Sequence, residues 1–393
     1  MGLLITGSPV SDATVERLSV VIICGSIAPY SNRLFDSIAA AHKLDLHVLS
    51  CAELEPHRRW TVPAPIKYRL KVLAGLRLHY RLRHFYFNPG VIWELIRLKP
   101  SAIIIGSFSP TMIMAAIYAY LTRTQLGVST DGSIATDPGS KSLLHRWIRQ
   151  IIIPRAAFGI GASEASTLLL GQYGLPRKRC DIVPLVPAWD APSTRPNFHE
   201  RPYDVLFCGL LDESKGLSFL VEVLAACKSH GHSLRVRIAG DGPMRGLLEQ
   251  RLESLGLLVH FDGYVQMQQL SEVYSSAKLL LFPTLGDAWG LVVNEASLCG
   301  TPVICSPRAV SSMELVERYN IGRMIPLDVK NWRDTIIGAL TDRCIWEVWQ
   351  NNCNQAKDSF SLKLATKRYG HVVAKIRDFR VHGKALSQSE RRR

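Results

Sequence analysis

The chain has 393 residues, of which 47% are hydrophobic, 20% charged and 8% aromatic. That composition excludes wholesale disorder, and the length suits two domains of about 200 residues rather than one core. The 47 basic and 33 acidic residues leave a net charge of +14, which calls for a polyanionic neighbour such as membrane lipid, nucleic acid or a phosphorylated ligand.

In chain order, the N-terminal half alternates strands and helices. Val20–Cys24 is a continuous apolar run closed by Gly25, as expected of a parallel strand buried on both faces. Asn32–Ala41 reads as a helix and Leu46–Leu49 as a strand; Ala102–Ile105 and Pro110–Leu121 repeat the pair. Gln125–Thr130 and Gly159–Ala162 read as strands, and Glu164–Gln172 as a helix. Lys99 and Arg123 bracket 23 uncharged residues, long enough to span a bilayer. Ser101, Gly106, Ser107, Ser109 and Pro110 interrupt that run, so a strand, a turn and a helix opening at Pro110 are expected instead.

Prolines 184, 187, 192, 196 and 202 leave little room for regular structure and mark an interdomain linker over 186–203. The pattern then restarts. Strands are expected at Asp204–Cys208, Leu234–Ala239, Val259–Phe261, Lys278–Pro283 and Pro302–Cys305. Helices are expected at Ser218–Lys228, Met244–Leu255, Leu270–Ser276 and Gly290–Leu298. Residues 361–382 read as a basic helix, placed as a return to the N-terminal domain, and 383–393 as a basic tail. Strand–helix alternation of this kind predicts an α/β fold of two doubly wound domains, 1–185 and 204–360, with ligands bound in the cleft between their strand C-terminal edges.

The nine cysteines are odd in number and contain no CxxC pair. Cys24, Cys208, Cys227, Cys299 and Cys305 lie in apolar stretches and read as buried thiols of a reducing cytosol, with no metal-ligand spacing. Met1 to Asp12 lacks the basic start of a secretory signal, while Met1-Gly2 with Thr6 fits a loose myristoylation pattern.

Two regions carry the excess charge: 51–100 hold ten basic residues against three acidic, and 351–393 eleven against three. Within 58–83, Arg58, Arg59, Lys67, Arg69, Lys71, Arg77, Arg81 and Arg83 occur without an acid and are interleaved with aromatic and aliphatic residues. Such a stretch suits an amphipathic surface on anionic lipid, or a solvated helix face. No RNP, KH, zinc-finger or helix-turn-helix pattern accompanies it, so nucleic acid is not expected as a partner.

The segment Gly286-Asp287-Ala288-Trp289-Gly290-Leu291-Val292-Val293-Asn294-Glu295-Ala296 is the most informative. Gly290 opens a helix and allows close backbone approach, and the free amides of Leu291 and Val292 make an anion site suited to a diphosphate. Glu295 sits one turn inside that helix, placed for ribose hydroxyls, with Asp287 in the loop before it. Eight helical residues span about 12 Å, wider than a glycosidase carboxylate pair needs.

This segment resembles the E-x7-E motif of the retaining GT-B glycosyltransferases of family 4, with Asp287 in place of the first Glu. Gly209 to Lys215-Gly216 resembles the donor-phosphate loop of that family. Gly240-Asp241-Gly242-Pro243, Phe261-Asp262-Gly263-Tyr264-Val265 and Cys299-Gly300-Thr301-Pro302-Val303 resemble other pieces in the family's order. The resemblance covers about 204–326 and extends to the N-terminal half only in architecture. It implies a GT-B fold and a nucleotide-sugar donor as co-substrate. It also implies same-face sugar transfer to a glycan acceptor without an enzyme nucleophile, metal or bound cofactor. Lys215 would neutralise the donor diphosphate, Glu295 bind the ribose, and Asp287 the sugar. Leu210 stands where the family has an Arg, so either donor binding is weaker or another cation such as Arg308 substitutes. Gly25 would admit the donor phosphates. Asp131 is either a group at the reacting centre or a turn former before Gly132, and Asp137 before Pro138 reads as turn chemistry. The basic surface then suits a lipid-linked oligosaccharide acceptor at the cytoplasmic face of a membrane. A catalytically weak scaffold or sugar-nucleotide binder is the alternative reading.

Overall fold

The computed structural model describes residues 17–54, 59–80, 83–140 and 142–390; Met1, Gly2 and Thr6 of the myristoylation pattern, and Arg58 and Arg81 of the basic stretch, lie outside them. The first half is a seven-stranded sheet of order β3-β2-β1-β6-β7-β8-β9, parallel throughout. Its strands are β1 (Ser19–Cys24), β2 (Asp45–Ser50), β3 (Arg69–Val72), β6 (Ala102–Ile105), β7 (Gln125–Thr130), β8 (Phe158–Gly161) and β9 (Cys180–Ile182). The crossovers run through α1 (Pro29–His42), α2 (Gly90–Leu98), α3 (Pro110–Leu121), α4 (Leu143–Ile152) and α5 (Glu164–Gln172). The antiparallel hairpin of β4 (Leu76–Tyr80) and β5 (Arg83–Phe87) stands apart from the sheet.

Strand β1 shows why an unbroken apolar run was needed. Val21 and Ile23 enter the core beneath α2, α3 and α5, while Val20 and Ile22 enter the core beneath α1 on the opposite face. Each buried side chain of this size contributes about 1.5–3 kcal/mol. The 23-residue uncharged run divides into β6 and α3, with Ser109 extended ahead of Pro110 at the first helical turn. None of the described helices is long and apolar enough to cross a membrane.

Residues 183–202 hold no helix or strand. The second half is a six-stranded parallel sheet of order β12-β11-β10-β13-β14-β15. Its strands are β10 (Tyr203–Cys208), β11 (Arg235–Ala239), β12 (Leu258–Gly263), β13 (Ala277–Phe282), β14 (Val303–Cys305) and β15 (Gly322–Met324). The helices are α6 (Leu217–Ser229), α7 (Arg245–Ser254), α8 (Met267–Ser275), α9 (Leu291–Leu298), α10 (Val329–Thr341) and α11 (Arg343–Ala356).

The chain then crosses back. Helix α12 (Leu362–Glu390) lays Ala365, Tyr369, Val372, Val373 and Ile376 on the first domain, an i, i+4, i+7, i+8, i+11 stripe against α1 and the β1 face. Ser37 and Thr366 share a 2.7 Å hydrogen bond, and Lys375 pairs with Asp181 at 2.6 Å. The helix continues to Glu390, beyond the boundary at 382 read from sequence, because 383–390 contain no proline and only one glycine.

Arg201, at the end of the linker, is fully buried. Its guanidinium donates to the Ala277 and Gly300 carbonyls at 2.8 and 3.0 Å and to Thr301 Oγ1 at 2.7 Å, fastening the linker to the second sheet. All nine cysteines are unpaired.

The basic stretch 58–83 is not one amphipathic element: it divides into a loop, the edge strand β3 and the hairpin. Several of its cations face protein acceptors. Lys71 pairs with Glu94 at 2.5 Å, Arg69 with Asp45 at 3.4 Å, Arg77 with the Leu54 carbonyl and Arg59 with Asp241 at 3.0 Å.

Candidate active site

The donor half of the site is built from three turns pressed together. After β10, the loop 209–216 is held by the turn that follows β11. Leu211 donates its amide to the Asp241 carbonyl at 2.9 Å and accepts from Met244 at 3.0 Å. The loop ends in a single 3-10 turn, Glu213–Lys215, capped by Gly216 at φ +72°. A Cβ at Gly216 would lie 2.0 Å from the Pro283 carbonyl oxygen, so only glycine fits here. That approach, with Leu285 donating to the Ser214 carbonyl at 2.8 Å, brings the loop after β10 against the loop after β13. The result is a contact between residues 72 apart: Lys215 Nζ lies 2.6 Å from Asp287 Oδ2, both side chains half-buried.

Asp287 is held from its other side as well. Its amide donates to the Arg308 carbonyl at 3.0 Å, its backbone bridges Ala309, and its Oδ1 accepts from the Trp289 amide at 3.4 Å. The exposed Arg308 side chain makes no ion pair among the described residues. Gly290 then opens α9 at φ +90°. A Cβ there would meet Ser311 Oγ at 2.7 Å and the Phe282 ring at 2.8 Å. Glycine is required by the turn and by this packing. The Leu291 and Val292 amides remain the first two of the helix, without intrahelical acceptors.

Glu295, one turn further, accepts a hydrogen bond from Tyr274 Oη at 2.6 Å. Burial pushes its carboxyl up to about 7, with the Tyr274 bond working in the opposite direction. Burial also raises the Tyr274 phenol well above its ordinary value, so Tyr274 remains a donor. Tyr274 was not legible as a site residue, since in sequence it is one apolar position of a short helix. Asn294 was likewise missed: fully buried, it accepts from Trp289 Nε1 at 2.8 Å and donates to the Leu185 carbonyl at 3.1 Å. A lone amide inside an apolar helix was its only signal.

Gly25 and Asp131 follow the C-terminal ends of β1 and β7 in the other sheet. At Gly25 a Cβ would stand 3.0 Å from the Tyr86 ring of the hairpin. Asp131 is half-buried. Asp137 goes beyond turn chemistry. Its carbonyl does accept from the Ser140 amide at 3.1 Å, but its buried carboxylate pairs with Arg149 Nε at 3.1 Å and accepts from Tyr173 Oη. The two halves meet through Arg59 and Asp241 at 3.0 Å, and through the Ala165 amide and Glu314 at 3.5 Å. Both contacts come from segments beyond strand C-terminal ends.

Known proteins share parts of this sequence and architecture. Residues 202–342 match the family described as glycosyl transferases group 1. The GDP-mannose-dependent alpha-(1-6)-phosphatidylinositol dimannoside mannosyltransferase of Mycobacterium tuberculosis is 31% identical over 151 residues, 37% of this chain and 36% of that one. The sulfoquinovosyl transferase of Arabidopsis thaliana is 25% identical over 325 residues, 77% of this chain and 60% of that one. The chain thus spans less than two thirds of the length of these relatives. Among solved structures, Anabaena Alr3699/HepE in complex with UDP and glucose superposes with a TM-score of 0.70 at 17% identity, covering 91% of this chain and 100% of that one. The chain has the GT-B fold, and its segment 202–342 is similar to the group 1 glycosyl transferases.

Proposed function

We propose that the protein is a retaining glycosyltransferase that moves a sugar from a nucleotide-sugar donor to a glycan acceptor carried on a lipid at the cytoplasmic face of a membrane. The observation that carries this reading is the 2.6 Å contact between Lys215 and Asp287, at the mouth of a helix whose first amides have no intrahelical acceptor. Without donor, the two charges neutralise one another. A diphosphate seated on the Leu291 and Val292 amides attracts Lys215 and frees Asp287 for the hydroxyls of the sugar. Lys215 stabilises the charge that develops on the leaving diphosphate, so the step needs no metal. Ionised Glu295 accepts the ribose hydroxyls, and Asp131 stabilises the positive charge that develops on the sugar. Arg308, exposed beside the Asp287 loop, supplies the second cation that Leu210 lacks.

The relatives support the substrate classes. One uses GDP-mannose and acts on a phosphatidylinositol dimannoside, and the superposed Anabaena protein binds UDP and glucose. The test is a thermal-stabilisation screen with UDP-, GDP- and ADP-sugars, since a bound donor raises apparent stability, followed by transfer assays. Lys215→Ala and Glu295→Ala are each expected to lower transfer strongly, and wild-type activity in either refutes the assignment. Donor binding without turnover on a broad acceptor panel would favour a scaffold or sugar-nucleotide binder, a reading motivated by Leu210 and Asp287.

A further inference from the structure

Helix α4 is apolar on two sides: Ile148 and Ile152 pack on the core of the first domain, and a second stripe does not. Leu143, Trp147 and Ile151 recur every fourth residue, and with Leu144 they form one stripe. That stripe faces solvent: Leu143 is 84% exposed, Leu144 63% and Trp147 61%. The charged group points the other way, with Arg149 only 11% exposed, paired to the buried Asp137 and set over the Phe108 ring at 4.6 Å. A folded chain gains nothing in water from exposing a Trp and three aliphatic side chains while burying an arginine. The charge around the stripe points to its occupant. Arg146 and Arg155 are exposed beside it, and no acidic residue occurs between Asp137 and Glu164. A protein partner would ordinarily be met by charges of both signs, whereas a segment with only basic charges beside an aromatic and aliphatic stripe complements an anionic bilayer. The same helical layer adds exposed Trp93 on α2 and Tyr120 on α3.

We infer that α4 is a bilayer-docking helix, lying in the headgroup region with Leu143, Leu144, Trp147 and Ile151 immersed and Arg146 and Arg155 on anionic lipid. Its N-terminus follows the loop that begins at Asp131, so docking sets that loop at the membrane surface. The Asp137–Arg149 pair fixes the angle of the helix against the sheet. The inference rests on the proposed function only in giving a reason for the chain to meet a bilayer.

The full chain is mixed with phosphatidylcholine vesicles, with and without phosphatidylglycerol, and sedimented. Wild type is expected to partition onto the anionic vesicles and less as salt rises. Leu143→Ser with Trp147→Ser is expected to reduce partitioning roughly 100-fold, with unchanged melting temperature and unchanged stabilisation by donor. Arg146→Glu with Arg155→Glu is expected to weaken it as well, and serves as the second variant should the first unfold. Unaltered partitioning in both variants overturns the inference, as does equal wild-type binding to neutral and anionic vesicles. Loss of binding in Lys67→Glu but not in the α4 variants would assign docking to the basic stretch instead. A variant that changes only the oligomeric state would assign the stripe to a second copy of the chain. Donor-induced stabilisation reports the glycosyltransferase reading separately.

Discussion

Glu295 is expected to make the protein less stable than it need be, by an amount that depends on pH. Its carboxyl is raised from an ordinary 4.5 to about 7 by burial. Between those values the folded chain holds a proton that the unfolded chain has released, so stability falls as pH rises across that window and levels off above 7. At 1.36 kcal/mol per unit, the loss is on the order of 3 kcal/mol. Glu295→Gln keeps the shape and the acceptor for Tyr274 but carries no titrating group. It should match wild type near pH 4 and exceed it by up to about 3 kcal/mol at pH 8. Urea unfolding of both proteins at pH 4, 6 and 8 measures the difference. A difference that does not change with pH refutes the reasoning, because desolvation of the ionised carboxylate is its only source. The same variant should lose donor affinity, and wild-type affinity should weaken as pH drops below 7 and the ribose acceptor is protonated.

Other perturbations separate stability from chemistry. Lys215→Ala removes a half-exposed pair and should change stability by no more than about 1 kcal/mol, while turnover falls about 100-fold or more in steady-state assays. Asp137→Asn takes from the buried guanidinium of Arg149 its paired carboxylate and should cost up to about 3 kcal/mol in chemical denaturation. Gly216→Ala places a Cβ 2.0 Å from the Pro283 carbonyl at φ +72°, so it should destabilise by at least about 2 kcal/mol and separate Lys215 from Asp287, read as lost donor stabilisation in a thermal scan.

The strands were the most legible elements, because burial on both faces demands apolar runs such as Val20–Cys24 and Ala102–Ile105, and these cannot be mistaken for a surface pattern. Helices α3 and α5 kept their expected bounds, marked by Ser109-Pro110 and by Ser163, whose hydroxyl caps the Ser166 amide. The hairpin β4–β5 was not legible: its short strands carry alternating charges that also suit a basic helix face, and only pairing across the turn decides between them. In the site, the turns announced themselves through glycines, although the packing around them was not legible. Gly290 and Gly25 accommodate Phe282, Ser311 and Tyr86, neighbours distant in sequence. Tyr274, Asn294 and the Asp137–Arg149 pair were missed for the same cause. Their polarity is satisfied by residues far along the chain, and nothing local distinguishes a buried hydrogen bond from a solvated one.

The return of α12 to the first domain means that the chain passes between the domains twice, at 183–202 and again at 357–361. A body held by one tether can swing and twist freely, whereas two separate crossings define an axis and leave rotation about it as the easy motion. Opening and closing of the cleft is therefore a door on two hinges. The Arg59–Asp241 pair joins the two halves outside both crossings and has to break before they part there.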